Sequence, residues 1–291
     1  MLDRVRHSRL VGEARERLRG KLLRAIEEVV APHHRAHAEQ LDRLRGELSE
    51  LREELRHRTD RISEDLRRFE IRARRDIVFA GERDAATDSA RFVRDHMTSA
   101  PHFDHPHATL DHALTLVERD GMALEFGVYA GTTLKIIAAA REGEQVYGFD
   151  SFEGLPEHWR SGFPAGMFGV DSLPDVPGAE LVVGWFDESL PGFLAEHPGP
   201  VAFLHVDCDL YSSTRTVLDL VGPRLVPGSV VVFDEYFNFP GWREHEHRAW
   251  TEYVERTGTE FRYEGYTYDH EQVIVKITGV PDAPPAEVTA P

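Results

Sequence analysis

One cysteine in 291 residues, Cys208, excludes an intramolecular disulfide and a cysteine-rich zinc site. It fits a reducing compartment. No apolar run approaches the roughly 18 residues that a membrane-spanning helix needs. The first thirty residues are charged throughout, unlike a secretory leader. The expectation is a soluble, cytoplasmic protein with no membrane partner. Basic residues are scarce beyond residue 100. Residues 1–100 carry 23 of the 34 Lys and Arg and 20 of the 51 Asp and Glu, a balance of +3. The rest of the chain stands at −20. A surface that acidic repels phosphate backbones, so nucleic acid is not an expected partner. Neither the GxGxxG dinucleotide fingerprint nor the GxxxxGK[ST] phosphate loop is present. Their absence counts against an NAD-dependent oxidoreductase.

What is there divides in two. Residues 1–75 read as a helical arm rich in Arg, Glu, Leu and Ala, with no Gly or Pro between Leu51 and Ala80. Leu41, Leu44, Leu48, Leu51 and Leu55 alternate spacings of three and four, and Ile62 follows one heptad on. That is an a/d seam. Arg58 takes one apolar position, and Leu66 and Phe69 shift the register. A coiled-coil segment over 41–69 is the sharper reading and implies a homo-oligomer or a docked partner. The blander one is a solvated arm. An earlier stripe, Leu18, Leu22, Ile26 and Val29, reads as a separate helix that Pro32 ends.

From Met122 the texture changes to short apolar runs alternating with helical stretches. Strands are expected over Met122–Phe126, Gln145–Phe149, Leu181–Val183, Val201–Val206, Ser229–Phe233, Phe261–Tyr266 and Gln272–Ile277. Helices are expected over Thr132–Arg141, Ser213–Val221 and Trp242–Arg256. The alternation predicts an α/β parallel sheet over residues 76–280. A disordered Pro/Ala-rich tail follows over 281–291.

Four segments carry chemistry. Glu125, Gly127, Tyr129, Gly131, Thr132 and Thr133 run from a strand end through two glycines into a helix. Such a turn lets a ligand approach the backbone beside a helix N-terminus; an ordinary tight turn is the alternative. Asp150 ends the next strand, where an acid accepts hydrogen bonds from the ribose of an adenosine ligand. Asp207 and Asp209 leave the strand Val201–Val206, and Asp234 and Glu235 leave Ser229–Phe233. In open α/β sheets the ligand crevice lies at those carboxyl ends. Asp207, Asp234 and Glu235 are expected to converge, and hard oxygen ligands suit Mg²⁺. Capping and solvated acids are the alternative.

Together these segments resemble the macrocin O-methyltransferase family over roughly residues 108–254. The resemblance rests on Leu124–Thr133, the run Gly148–Pro156 (GFDSFEGLP), the run Val183–Pro191 (VGWFDESLP) and Asp207–Thr214 (DCDLYSST). It implies a Rossmann-like fold with a seven-stranded sheet, one strand reversed, that binds S-adenosylmethionine (SAM). Glu125, Gly127 and Gly131–Thr133 are expected around the methionine part, and Asp150 on the ribose with Ser151 and Phe152 beside it. Gly184 and Trp185 are expected near the adenine, and Asp207, Asp234 and Glu235 on Mg²⁺. The family has aspartate where this chain has Glu235, one methylene longer.

The expected reaction is methyl transfer to a small-molecule hydroxyl, a sugar hydroxyl being the family's suggestion and a phenol the nearest alternative. Asp207 is the first candidate for general base and His205 the second. The segment from His158 through Phe168 is a candidate lid. A non-catalytic coiled-coil assembly protein with a degenerate methyltransferase domain is the rival reading.

Overall fold

A computed structural model describes the backbone of residues 2–281 and the side chains of residues 15–281. The expected tail lies, but for Pro281, outside the described residues. The chain divides into two compact units, the first ending at Asp76 and the second beginning at Ile77.

The first unit is one helix, α1 (Leu2–Arg75), with Pro32 inside it. This corrects the expectation of two helices. A proline in a helix interior removes one hydrogen bond and crowds the preceding turn, at about 3 kcal/mol. The Arg, Glu, Leu and Ala runs on both sides are strong helix formers, and they carry the helix through.

The second unit opens with α2 (Ile77–His96), β1 (His102–Phe103) and α3 (Pro106–Thr115). Strand β2 (Met122–Phe126), helix α4 (Thr132–Ala140), β3 (Val146–Asp150) and β4 (Glu180–Val183) follow. Next come α5 (Phe186–Glu196), β5 (Val201–Val206), α6 (Tyr211–Val221), β6 (Leu225–Phe233), α7 (Glu246–Thr257), β7 (Glu260–Thr267) and β8 (Val273–Gly279). Sheet order is β1-β7-β8-β6-β5-β2-β3-β4. Among the described residues, only β8 runs antiparallel to its neighbours, β6 and β7. The sheet has eight strands rather than seven, because the two-residue β1 adds to the edge through His102 opposite Tyr266 and Phe103 opposite Thr267. Two residues carry too little pattern to be read as a strand.

Strands β2 and β5 are buried at every position, the mark of central parallel strands covered on both faces. The face of Phe126, Phe149, Leu204, Phe233 and Trp250 forms the larger apolar layer. The other face packs Leu134, Ile137, Phe203 and Ile274. Reversal of strand order occurs between β2 and β5, whose carboxyl ends lie side by side; a crevice opens there in folds of this kind. Among the described residues no helix is long and apolar enough to cross a membrane.

Candidate active site

The turn after β2 is built by backbone geometry. Gly127 has φ +96°, and a Cβ there would overlap the carbonyl oxygen of Asp207. The two turns that leave β2 and β5 therefore touch through main chain, and only glycine permits it. Gly131 (φ +74°) caps the N-terminus of α4.

Asp150 braces this turn. Its Oδ2 accepts the backbone N–H groups of Val128 (2.9 Å) and Tyr129 (2.8 Å), and its Oδ1 accepts that of Phe152 (2.8 Å). Oδ2 thus has both its lone-pair directions in use, and Oδ1 retains one for a further donor. The carboxylate lines a cavity of about 630 Å³.

Gly127, Tyr129, Ser151 and Trp185 line that cavity with Asp150, and so do Asp207, Asp209 and Glu235. Other predicted residues lie elsewhere. Glu125 is fully buried beneath the turn, and Phe152 packs in the second apolar layer with Leu134 and Val176. Gly131, Thr132, Thr133 and Gly184 do not line the cavity.

Beneath the carboxylates lies a buried relay. His205 Nδ1 is 2.9 Å from Glu125 Oε1, and its Nε2 is 3.6 Å from Asp234 Oδ1. Gln272 donates its amide to Asp234 Oδ2 at 3.1 Å. Burial works against charge on His205, but Asp234 and Glu125 on either side raise its pKa well above the ordinary imidazole value. Burial likewise works against charge on Asp234, yet His205 holds its pKa below the usual range. His205 is fully buried and does not line the cavity.

Asp207, Asp234 and Glu235 each offer an oxygen within 4.8 Å of the others. Glu125, His205 and Asp207 form a second such group. Burial, then the charge of Asp234, pushes Asp207 and Glu235 well above the carboxylate range. Burial and Asp234 raise Asp209 to about 7, with Arg160 opposing. Below them Glu246 is wholly buried; its Oε2 accepts the backbone N–H of Glu235 at 2.9 Å, and its Oε1 has no partner. Carboxylates gathered this closely, with Glu235 Oε2 also unpartnered, fit a divalent cation by their oxygen donors and by their mutual repulsion.

Residues 151–179, between β3 and β4, contain no helix or strand, and they form the cavity's aromatic side. Trp159, Arg160, Phe163 and Phe168 all line it. The Arg160 guanidinium lies 3.9 Å from the Trp159 ring centroid and 4.6 Å from that of Phe239. It is tied to Glu271, in the turn between β7 and β8, at 3.0 Å. Sequence reasoning gave Asp209 no role beyond its place among the strand-end acids, and Arg160 none beyond its place in the candidate lid; both line the cavity. Asp209 was legible as the second acid of the Asp207–Asp209 pair. Arg160 offered only its place in a glycine-containing loop.

Residues 124–236 match the family described as Methyltransferase domain. A tetracenomycin rhamnosyl 4'-O-methyltransferase of Streptomyces olivaceus is 30% identical over 156 residues, covering 44% of this chain and 58% of that protein. The mycinamicin III 3''-O-methyltransferase of Micromonospora griseorubida is 27% identical over 171 residues, covering 48% of this chain and 66% of that protein. The chain thus spans less than two thirds of either relative's length. A crystal structure of a calicheamicin methyltransferase is 24% identical and covers 65% of this chain and 91% of that one, with a TM-score of 0.48. The second unit has a Rossmann-like fold, and the part of it that matches the methyltransferase model is similar to natural-product O-methyltransferases.

Proposed function

We propose that the chain transfers the methyl group of SAM to a hydroxyl of a small molecule, a sugar hydroxyl of a glycosylated natural product, with Mg²⁺ at the carboxylate cluster. One observation carries the reading. A single cavity joins Asp150 and Trp185, suited to an adenosyl group, to Asp207, Asp209 and Glu235, suited to an ionising hydroxyl. The relatives' names supply the acceptor class: one is named for a rhamnosyl 4' position and the other for a 3'' position.

Methyl transfer from a sulfonium is an in-line displacement. The acceptor oxygen must sit behind the methyl carbon and lose its proton, and alignment alone supplies a large share of the rate. Asp150, Tyr129 and Trp185 hold the donor. Trp159, Phe163 and Arg160 wall the acceptor and exclude water. Asp207, Asp234 and Glu235 would hold a divalent cation, which would supply acidification of the acceptor hydroxyl. Asp209 lines the cavity outside that ligand set, and a base is most effective when its pKa lies near the working pH. We assign it the proton. Asp207 is then a ligand, and His205, sealed below, is a positioning residue that fixes Asp234. The arm joins copies of the chain into a homo-oligomer.

Calorimetric titration of SAM and S-adenosylhomocysteine into the full chain, with and without Mg²⁺, tests the donor site. Binding is expected, and is lost in an Asp150→Ala variant that still unfolds cooperatively. Rhamnosides and their phenolic aglycones, compared by mass gain of one methyl group, test the acceptor. Failure of both donor ligands to bind removes the reading at its root. Methylation of the aglycones alone replaces the sugar with a phenol.

A further inference from the structure

The arm's leucine seam keeps its apolar side chains in water. Within α1, exposure runs from 48% at Leu48 through 55% at Leu41 to 67% at Ile62. Six large aliphatic groups in one row, over about 33 Å of helix, form an apolar stripe that a soluble chain covers. The stripe alone names no occupant. The charges beside it do.

With Leu41, Leu48, Leu55 and Ile62 at a and Leu44 and Leu51 at d, the flanking e positions hold Arg45, Arg52 and Thr59, and the flanking g positions hold Glu47, Glu54 and Arg61. Between residues 45 and 54 one edge is basic and the other acidic. In a parallel two-stranded coil a g residue faces the e residue five positions on in the other helix, and such pairs set orientation. Glu47 of each helix then faces Arg52 of the other, twice by symmetry. Among the described residues neither Glu47 nor Arg52 has an ion-pair partner within the chain. In an antiparallel coil e faces e and g faces g. Overlapping the same leucines then sets Arg45 against Arg52 and Glu47 against Glu54, all repulsive. Arg58 falls at a d position, and Glu54 on its own helix neutralises it at 2.6 Å.

We propose that the arm pairs with a second copy of this chain as a parallel, in-register two-stranded coiled coil over residues 41–62. This deepens the homo-oligomer reading by fixing its stoichiometry and direction, and it does not depend on the methyltransferase chemistry. The parallel sense brings the two copies of Asp76 to the same end of the coil, so both second units start there.

The sequence makes the test clean. Cys208 is the chain's only thiol and is buried. A Leu44→Cys substitution places one exposed thiol at a d position. Parallel pairing sets residue 44 against its own copy, within the roughly 7 Å that a disulfide tolerates between Cα atoms. Antiparallel pairing over the same leucines sets it against residue 55, about 16 Å from its copy. The expected result is a parent chain that sediments at twice 33.1 kDa. Mild oxidation should link Leu44→Cys chains in pairs and leave Glu53→Cys chains, with the thiol on the far face, unlinked. Charge reversal gives a second readout. Glu47→Arg or Arg52→Glu alone should weaken the dimer about tenfold, and the two together should restore it. A monomeric parent overturns the proposal, as does a dimer that Leu44→Cys does not link. Single reversals without effect, or tightening the dimer, also overturn it.

Discussion

Asp209→Asn should stabilise the metal-free protein while abolishing methyl transfer. Asp209 is 7% exposed, and burial, then the charge of Asp234, raises its pKa from 3.8 to about 7. Every tenfold change in proton affinity is worth about 1.4 kcal/mol, so ionising this group in the folded chain costs about 4 kcal/mol at the limit. Neighbouring acids share protons, so about half that is the working expectation. The sign follows from linkage. A carboxyl raised in the folded state adds no penalty below about pH 4, where it is protonated both folded and unfolded. The penalty grows as pH rises to about 7 and is constant above. Asparagine keeps the shape, carries no charge, and tolerates the left-handed backbone at this residue (φ +62°), so no strain is added. Chemical denaturation in EDTA should therefore show little difference at pH 4 and a gain of about 2 kcal/mol at pH 8. For a domain of this size that is a rise in Tm of about 4–8 °C. A loss of stability at pH 8, or a gain independent of pH, would refute the account of the cluster as mutual repulsion. Loss of activity in a more stable protein is the pattern expected of a functional site.

Two further outcomes follow from the same geometry. Mg²⁺ affinity should rise with pH, because the ligands Asp207 and Glu235 both sit well above the usual carboxylate range and a proton must leave as the ion enters; calorimetry in buffers of different ionisation enthalpy counts it, and an affinity independent of pH would refute it. Gly127→Ala should destabilise the second unit by roughly 3 kcal/mol or more and remove S-adenosylhomocysteine binding, because the added methyl meets the Asp207 carbonyl at a backbone angle that alanine resists; thermal unfolding beside a binding titration measures both.

The sequence exposed the fold where a residue's environment is uniform. Strand β5, Val201–Val206, is apolar from end to end because both its faces are covered, so its limits were legible to the residue. Helix α5 was missed: Pro191 sits inside it, and a proline reads as a break. Pro32 misled in the same way in the arm. In the site, strand-end acids were legible because parallel strands deliver their carboxyl ends to one crevice. Which of them face the cavity was not. Glu125 and His205 come from the same strand ends as the lining residues, but they turn beneath the floor and bond to each other through His205 Nδ1 and Glu125 Oε1. Arg160 was invisible for a different reason. Its partners Phe239 and Glu271 lie 79 and 111 residues away, and no local pattern reports a contact made only by the fold.

Glu235 brings the two levels together. The resemblance expects aspartate there, and an extra methylene is long enough to carry a carboxylate off the cluster. Yet Glu235 still offers an oxygen within 4.8 Å of those of Asp207 and Asp234. The cause lies one layer down. Glu246, wholly buried at the start of α7, accepts the Glu235 backbone N–H and fixes where that residue's side chain begins. An acid buried merely to anchor another acid's backbone is expensive, since burial and Asp234 together drive the Glu246 pKa well upward. A chain that had abandoned the cluster for a scaffold role gains stability by replacing either glutamate with a neutral side chain. Keeping both, beside Asp207, Asp209 and Asp234, maintains a repulsive cluster that only a bound cation or a reacting proton relieves. That weighs against the degenerate-domain reading and in favour of catalysis.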